Sequence, residues 1–250
     1  MESDFIAAIE ASYIKYLEVH SRSPEKLKPL HSYIARVLEH ELGPEYSVSS
    51  MGYKDGKEVT FRGAYYDKNL DITVTKDGVA ISSIALKFVM TNYKQNANNY
   101  FENMLGETAN VRKAGLVYGQ IIILRKEMPY YSSDKKLFTR IEKISDADIS
   151  KYRNLAHESD MSLPYVPDCM LMTLIDTGDN AYIHDYINRP LPTGSVLDFR
   201  KENLIPNVAV KHLSSESLSD ITPATREYLR THESFVNFIR EFVTKTKVGR

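Results

Sequence analysis

Several absences narrow what this chain can be. It has one cysteine, Cys169, in 250 residues, so no internal disulfide is possible. No Cys/His set stands at zinc-finger spacing. Tryptophan is missing. No window approaches the roughly 18 apolar residues of a membrane span. The opening MESDFIAAIEASY carries acids early and lacks the basic n-region of a secretory signal. Reducing, cytoplasmic surroundings and no membrane partner are the expectation. The formal net charge of -1 excludes a global basic field of the kind a sequence-blind nucleic-acid coat uses, though not a local basic cleft. No P-loop, dinucleotide-binding glycine fingerprint or Gly-x-Ser-x-Gly elbow occurs. Internal repeats, low-complexity tracts and an interdomain linker are also lacking. What remains is an ordinary globular composition, 42% hydrophobic and 26% charged, long enough for one large domain.

The most informative stretch is 63–107, GAYYDKNLDITVTKDGVAISSIALKFVMTNYKQNANNYFENMLGE. Two alternating runs, 70–75 and 79–89, flank Lys76-Asp77-Gly78 and predict a hairpin with a three-residue loop. That register sets Asp71 opposite Ser83 and Asn69 opposite Ala85. Asp71, Ser83, Ala85 and Lys87 then share one face. Leu70, Ile72, Val74, Ala80, Ile84, Leu86 and Phe88 share the other, apolar face. A one-residue slip would scramble this sorting. After the hairpin, a helix is expected from Asn92 to Leu105, closed at Gly106, with a short helix from Thr108 to Gly115. Its outward stripe of Lys94, Gln95, Asn98, Asn99 and Glu102 is rich in asparagine, a poor helix former. Such an amide face suits phosphates or base edges. The bland alternative is an Asn-rich surface or a buried polar network.

An aspartate at the end of a short strand, a hairpin and then acid-x-lysine is the signature that this segment resembles. The family is the PD-(D/E)xK nuclease superfamily, which includes many type II restriction endonucleases. Asn69-Leu70-Asp71 stands for Pro-Asp, and Ala85-Leu86-Lys87 for Glu-x-Lys. The resemblance covers the hairpin and the helix and strand after it. It implies a Mg²⁺ site at Asp71, position 85 and the Leu86 carbonyl, with Asp71, Ala85 and Lys87 at the catalytic positions. It also implies double-stranded DNA as partner, and a homodimer for cutting both strands. Ala85 is the departure: it occupies the place of the second metal-binding carboxylate. The intact hairpin around it favours an engineered loss, and Ala85→Glu is then expected to restore cleavage. The chemistry is that Mg²⁺ polarises a phosphoryl oxygen, while a lysine orients water and stabilises developing charge. Without the resemblance, Asp71 and Lys87 would read as a solvated hairpin face.

The rest of the chain supplies the frame. Helices are expected over 3–20 and from Ser23-Pro24 to Gly43-Pro44, with Glu10, Glu39 and Glu41 as minor candidates for an early-helix acid. Strands 46–51 and 58–62 are expected to pair across an Asp55-Gly56 turn, making an antiparallel meander with the hairpin. The run 116–124, LVYGQIIIL, reads as a central strand buried on both faces. The helix before it makes a crossover, so it should lie parallel to 79–89. Further on, a loop at 129–134, helices over 135–144 and 146–154, and a buried strand at 169–175 are expected. The stretch 177–194, with Arg189-Pro190-Leu191-Pro192, is turn-rich, and 200–219 has weak pattern. One apolar helix over 223–245 suits core packing or a homodimer contact. The fold expectation is α/β (α+β): a mixed central sheet with an antiparallel meander, flanked by helices and restriction-endonuclease-like. It forms a single domain over 1–250, with helices at 1–44, a catalytic core at 45–125 and a helical, loop-rich extension at 126–250 for DNA recognition or dimerisation. The functional expectation is a Mg²⁺-dependent, sequence-specific DNA endonuclease, inactivated at position 85. The alternatives are a dead nuclease fold that only binds DNA, and a protein-interaction module.

Overall fold

A computed structural model describes residues 1–19, 23–54, 56–131, 138–188 and 201–249. Helix α1 (Glu2–Glu18) buries Phe5, Ile9, Tyr13, Tyr16 and Leu17, and α2 (Lys28–Leu42) buries Leu30, Ile34 and Leu38. These are the helical-spacing residues of the sequence. Ser23 caps the entry, accepting from the Glu25 N–H, and Gly43 closes α2 with φ of 96°.

Strand β1 (Tyr46–Ser50) does not pair with β2 (Val59–Arg62), a correction to the expected meander. β2 pairs with β3 (Asp67–Leu70) as a separate two-stranded ribbon, and β1 pairs with β4 (Ile72–Lys76). The burial patterns give the reason. β1 buries alternate residues, including Tyr46 and Val48, and needs a sheet with a core. β2 buries none of its residues, alternating half-buried Val59 and Phe61 with exposed Thr60 and Arg62, and can stand outside it.

β4 turns into β5 (Val79–Val89) through two residues rather than three. Asp77 and Gly78 are both left-handed, at φ of 51° and 77°. A bulge between Val74 and Thr75 absorbs Ile81, so Thr73 faces Ser83 and Ile72 faces Ile84. Continuing that register brings Asp71 level with Ala85 instead of Ser83. The shift is two residues, so Asp71, Ala85 and Lys87 keep a common face. Leu70 and Ala80 do not follow the prediction. Leu70 belongs to the ribbon, the bulge turns Ala80 over, and both pack with Ala85, Val111, Leu116 and Tyr118.

Helix α3 (Tyr93–Lys113) is continuous over 21 residues, where the sequence reading broke it at Gly106. A glycine inside a helix costs only about 1 kcal/mol. Thr108, Asn110, Val111 and Arg112, all buried, hold the turn beyond it. The crossover is as expected: β6 (Val117–Arg125) is parallel to β5 and buried along its whole length. Strands β7 (Glu127–Tyr131) and β8 (Phe138–Lys143) replace the expected loop and helix. Cross-strand pairs decide this: Glu127 faces and ion-pairs Lys143 at 2.7 Å, and the Arg140 guanidinium stacks 3.9 Å above the opposite Tyr130 ring. Helix α4 (Asp146–Ala156) opens with a Ser145–Asp148 capping box, and β9 (Cys169–Asp176) lies parallel to β6. Helix α5 (Asn180–Asn188), a 3₁₀ turn at Lys201–Asn207 and the short β10 (Lys211–His212) follow.

The expected last helix is two, α6 (Pro223–His232) and α7 (Phe235–Val248). Ser234 caps α7, and the Glu233 carboxylate accepts from the Ser215 N–H and hydroxyl. The break lets α6 and α7 pack on opposite faces of the sheet. The apolar face that suggested a homodimer contact is therefore spent inside this chain. Phe235 and Phe242 are fully buried.

The central sheet is mixed, in the order β1-β4-β5-β6-β9-β10. One core lies between it and α1, α2 and α7; the other lies between its opposite face and α3, α4 and α6. Among the described residues no helix is long and apolar enough to cross a membrane. Asp55 of the expected first turn, residues 132–137 of the expected loop and helix, and Arg189-Pro190-Leu191-Pro192 lie outside the described residues.

Candidate active site at the end of β4

Asp71 sits where the chain leaves the ribbon and enters the central sheet. Its Oδ2 accepts from the Leu86 N–H at 2.8 Å, and its carbonyl accepts from the Ser50 hydroxyl at 3.0 Å. A strand residue sends its N–H and C=O to the same edge. The Leu86 carbonyl therefore faces the gap that opens where β4 has ended. Lys87, one residue on, points the other way from the apolar Leu86. Its Nζ donates to Glu107 Oε2 at 2.8 Å, while Lys68 Nζ, from the ribbon, donates to Glu107 Oε1 at 2.9 Å. Three separate elements, β3, β5 and α3, thus meet at one carboxylate.

Ala85 is 4% exposed and offers no ligand. Beside it in register lies Gln120 of β6, fully buried, whose Nε2 donates to the Thr108 hydroxyl and whose Oε1 has no partner. A carboxylate does reach Lys87, that of Glu107 from the helix.

Electrostatics tie the group together. Burial opposes charge on Glu107, but Lys87 and then Lys68 outweigh it and hold the carboxyl below the ordinary range. Lys68 is raised: burial works against its charge, and Glu107 followed by Asp71 prevail. Burial and then Asp71 push Glu58 up, against Lys68. Burial, then Glu107 and Asp71, drive the Tyr118 phenol well above its usual value. Asp71 thus acts on both Glu58 and Lys68, and Lys68 joins it to Glu107. His31 is also buried, with neither ring nitrogen partnered; burial lowers it against the pull of Asp71.

Among the described residues no three His, Cys, Asp or Glu side chains converge as a ready metal cage. Mg²⁺ does not ask for one, since it is held by one or two carboxylates with water and phosphate oxygens. Asp71 and Glu107 are hard oxygen donors of the required kind, and Asp71 Oδ1 takes no part in the bond to Leu86. Oxygen donors of the kind that a water-rich Mg²⁺ takes are thus present at Asp71 and Glu107, and each Glu107 oxygen also accepts from a lysine.

The polar stripe of α3 lies elsewhere. Lys94, Gln95, Asn98 and Asn99 are exposed on the first two turns. Lys94 pairs with Asp148 at 3.7 Å, Gln95 Oε1 accepts from the Tyr130 hydroxyl at 3.5 Å, and Asn98 accepts from Lys151 at 3.4 Å. Gln95 is twelve residues from Glu107, about 18 Å along the axis. The structure therefore joins the stripe to β7 and α4, not to Asp71 and Lys87. The early-helix acids are engaged away from the site: Glu10 accepts from the Val210 N–H, Glu39 from Tyr53 and Lys54, and Glu41 contacts His40.

Sequence reasoning missed Glu107, Lys68, Glu58 and Gln120. The available signal for Glu107 was its helical spacing from Tyr100, Asn103 and Asn96, on the side of the helix that returns to Lys87. No protein-family model, curated protein or solved structure matches this chain.

Proposed function

We propose that this chain is a Mg²⁺-dependent endonuclease of double-stranded DNA, built on a restriction-endonuclease-like core over residues 45–125. The observation that carries the reading is Lys87 paired with Glu107, beside an Asp71 fixed to the neighbouring strand residue. Asp71, Glu107 and the Leu86 carbonyl would hold the ion. Mg²⁺, when bound, supplies polarisation of the phosphoryl oxygen. Lys87 orients the attacking water and stabilises charge that develops on the phosphate. Lys68 adds a second cation. Cutting both strands of a palindromic site calls for two copies about a two-fold axis, each attacking one strand. The part of the chain after residue 125 would supply recognition.

The test is incubation of mixed-sequence duplex DNA with the wild-type chain and with Asp71→Asn, with and without Mg²⁺. Double-strand cleavage is expected only for the wild type with Mg²⁺. Intact DNA with both the wild type and Ala85→Glu would sink the nuclease reading.

A second reading is favoured by Ala85 itself: a nuclease fold that binds duplex DNA without cutting it. In either reading the amide stripe of α3 is the candidate base reader. Gln95→Ala is expected to weaken binding to the recognised sequence by about 1–3 kcal/mol more than binding to random DNA. Competition titrations measure this. Equal loss on all sequences makes Gln95 a phosphate contact, and no loss removes it from the interface.

A further inference from the structure

The loop between β2 and β3 holds two aromatic rings out in solvent. Tyr65 is 64% exposed and Tyr66 45%. The backbone beneath them is fixed by one side chain. Asn110, buried in α3, accepts at Oδ1 from the Tyr65 and Tyr66 N–H groups at 2.9 and 3.2 Å, and donates from Nδ2 to the Tyr66 carbonyl at 3.0 Å. Its own carbonyl accepts from the Ala64 N–H at 3.0 Å. Gly63 lies so close that a Cβ there would sit 2.1 Å from Asn110 Nδ2. Only glycine fits at that approach.

A buried asparagine spent on a surface loop stabilises the presentation, not the core. The rings themselves have only two rotatable bonds each, so docking them costs little conformational entropy. A cation stands beside them: the Lys113 ammonium lies 5.7 Å from the Tyr65 ring centre, while Arg62 before the loop is paired with Asp67 at 3.0 Å and Lys68 after it with Glu107 at 2.9 Å. The loop also adjoins the candidate active site. Asn110 is three residues beyond Glu107 on α3, about 4.5 Å along the axis, and Tyr66 is felt electrostatically by both Lys68 and Tyr118.

We propose that Tyr65 and Tyr66 form a stacking platform for nucleobases of duplex DNA at a step flanking the scissile phosphate, with Lys113 on an adjoining phosphate. This rests on the nuclease reading above. Exposed aromatics on a rigid loop beside a cation suit base faces and sugar edges. Rings inserted at a base step unstack it and kink the duplex. A partner recognised only by charge would need no rings, and an apolar partner would need no ammonium beside them.

The experiment compares the wild type with three variants: Tyr65→Ala/Tyr66→Ala, Tyr65→Phe/Tyr66→Phe and Lys113→Ala. Binding to a fluorescent mixed-sequence duplex is followed by anisotropy across a salt series, and base unstacking by 2-aminopurine emission in the same duplex. The alanine pair is expected to bind at least about tenfold more weakly, ~1.4 kcal/mol, the low end of aromatic–base stacking. Its salt slope should stay unchanged and the 2-aminopurine signal should be lost. The phenylalanine pair should keep both affinity and signal. Lys113→Ala should lower the salt slope by about one unit. Both tyrosines are exposed, so thermal melts of the variants should match the wild type. If the wild type binds and the alanine pair binds as well, the platform is overturned while the nuclease reading stands. If the wild type binds no duplex at low salt, both fall. If the alanine pair alters only self-association, the loop is a contact between copies and the proposal is wrong.

Discussion

Glu107→Gln is expected to lower Mg²⁺-dependent cleavage by at least about 10²-fold with little change in fold. Glutamine has the same shape and still accepts from one lysine, but it carries no charge. If Glu107 is one of two carboxylates that hold the metal, as proposed, losing it forfeits several kcal/mol of transition-state stabilisation. At ~1.4 kcal/mol per tenfold, that is two to three orders of magnitude. The informative comparison is with Ala85→Glu. Position 85 is closed in by Leu70, Val111, Leu116 and Tyr118. A glutamate there must overpack that cluster, at a cost of about 1–3 kcal/mol, before it serves as a ligand. If Glu107 is the second acid, the wild type cuts, Glu107→Gln does not, and Ala85→Glu gains nothing. If position 85 is a true loss, the pattern reverses. The wild type then binds DNA uncut, Ala85→Glu restores cleavage, and Glu107→Gln in that background is silent. A plasmid-linearisation series over the three proteins separates the cases, and wild-type rates from Glu107→Gln would remove Glu107 from the active site.

The second large effect is on stability. Asp179→Ala is expected to cost about 3–5 kcal/mol. Arg125 and Asp179 are 1% and 0% exposed in side chain, and Arg125 Nη2 donates to Asp179 Oδ1 at 2.7 Å. Tyr13 completes the triangle. Its hydroxyl accepts from Arg125 Nη1 at 2.7 Å and donates to Asp179 Oδ2 at 2.6 Å, while the Thr177 hydroxyl donates to Asp179 Oδ1 at 2.5 Å. Removing the carboxylate leaves a guanidinium buried without its counter-ion, which costs far more than the pair contributes net. For a domain of this size the melting temperature should fall by roughly 6–20 °C. Denaturant titration gives the free energy directly. The Arg125→Met/Asp179→Leu double variant removes both charges and should recover most of the loss. A loss under about 1 kcal/mol for Asp179→Ala would mean that water or another group reaches Arg125.

How far the sequence carried depended on the range over which each signal acts. Helices α1 and α2 and strands β6 and β9 were legible because their apolar spacing is strong and their neighbours only deepen it. The parallel pairing of β5 and β6 followed from the helix between them. The ribbon was illegible because β2 and β3 are four residues each and bury only Leu70 between them, so nothing local chooses their partner. The α6–α7 break was hidden because apolar periodicity runs through Glu233 and Ser234 and masks the local Ser234 cap; the far partners, Ser215 and Glu2, reinforce it. In the site, Asp71 and Lys87 were readable as one hairpin face, and the tighter turn and the bulge, each moving the register by one, together left that face intact. Glu107 was not, because its meeting with Lys87 needs α3 to run unbroken through Gly106. Lys68 depends on the ribbon in the same way.

The triangle of Tyr13, Arg125 and Asp179 also sets an order in time. Its members are separated by up to 166 residues of chain. During synthesis at about 5–20 residues per second, Tyr13 leaves the ribosome roughly 8–30 s before Asp179 exists. Through that interval α1 has its apolar stripe but no anion to receive Tyr13, and Arg125 emerges with no counter-ion. Helices, hairpin and the β5–α3–β6 crossover can form as they appear, whereas the lock between first helix and central strand waits for the turn after β9. The nascent chain therefore carries an unlatched α1 until the turn after β9 has been made, and that helix is where a chaperone would find apolar surface to hold.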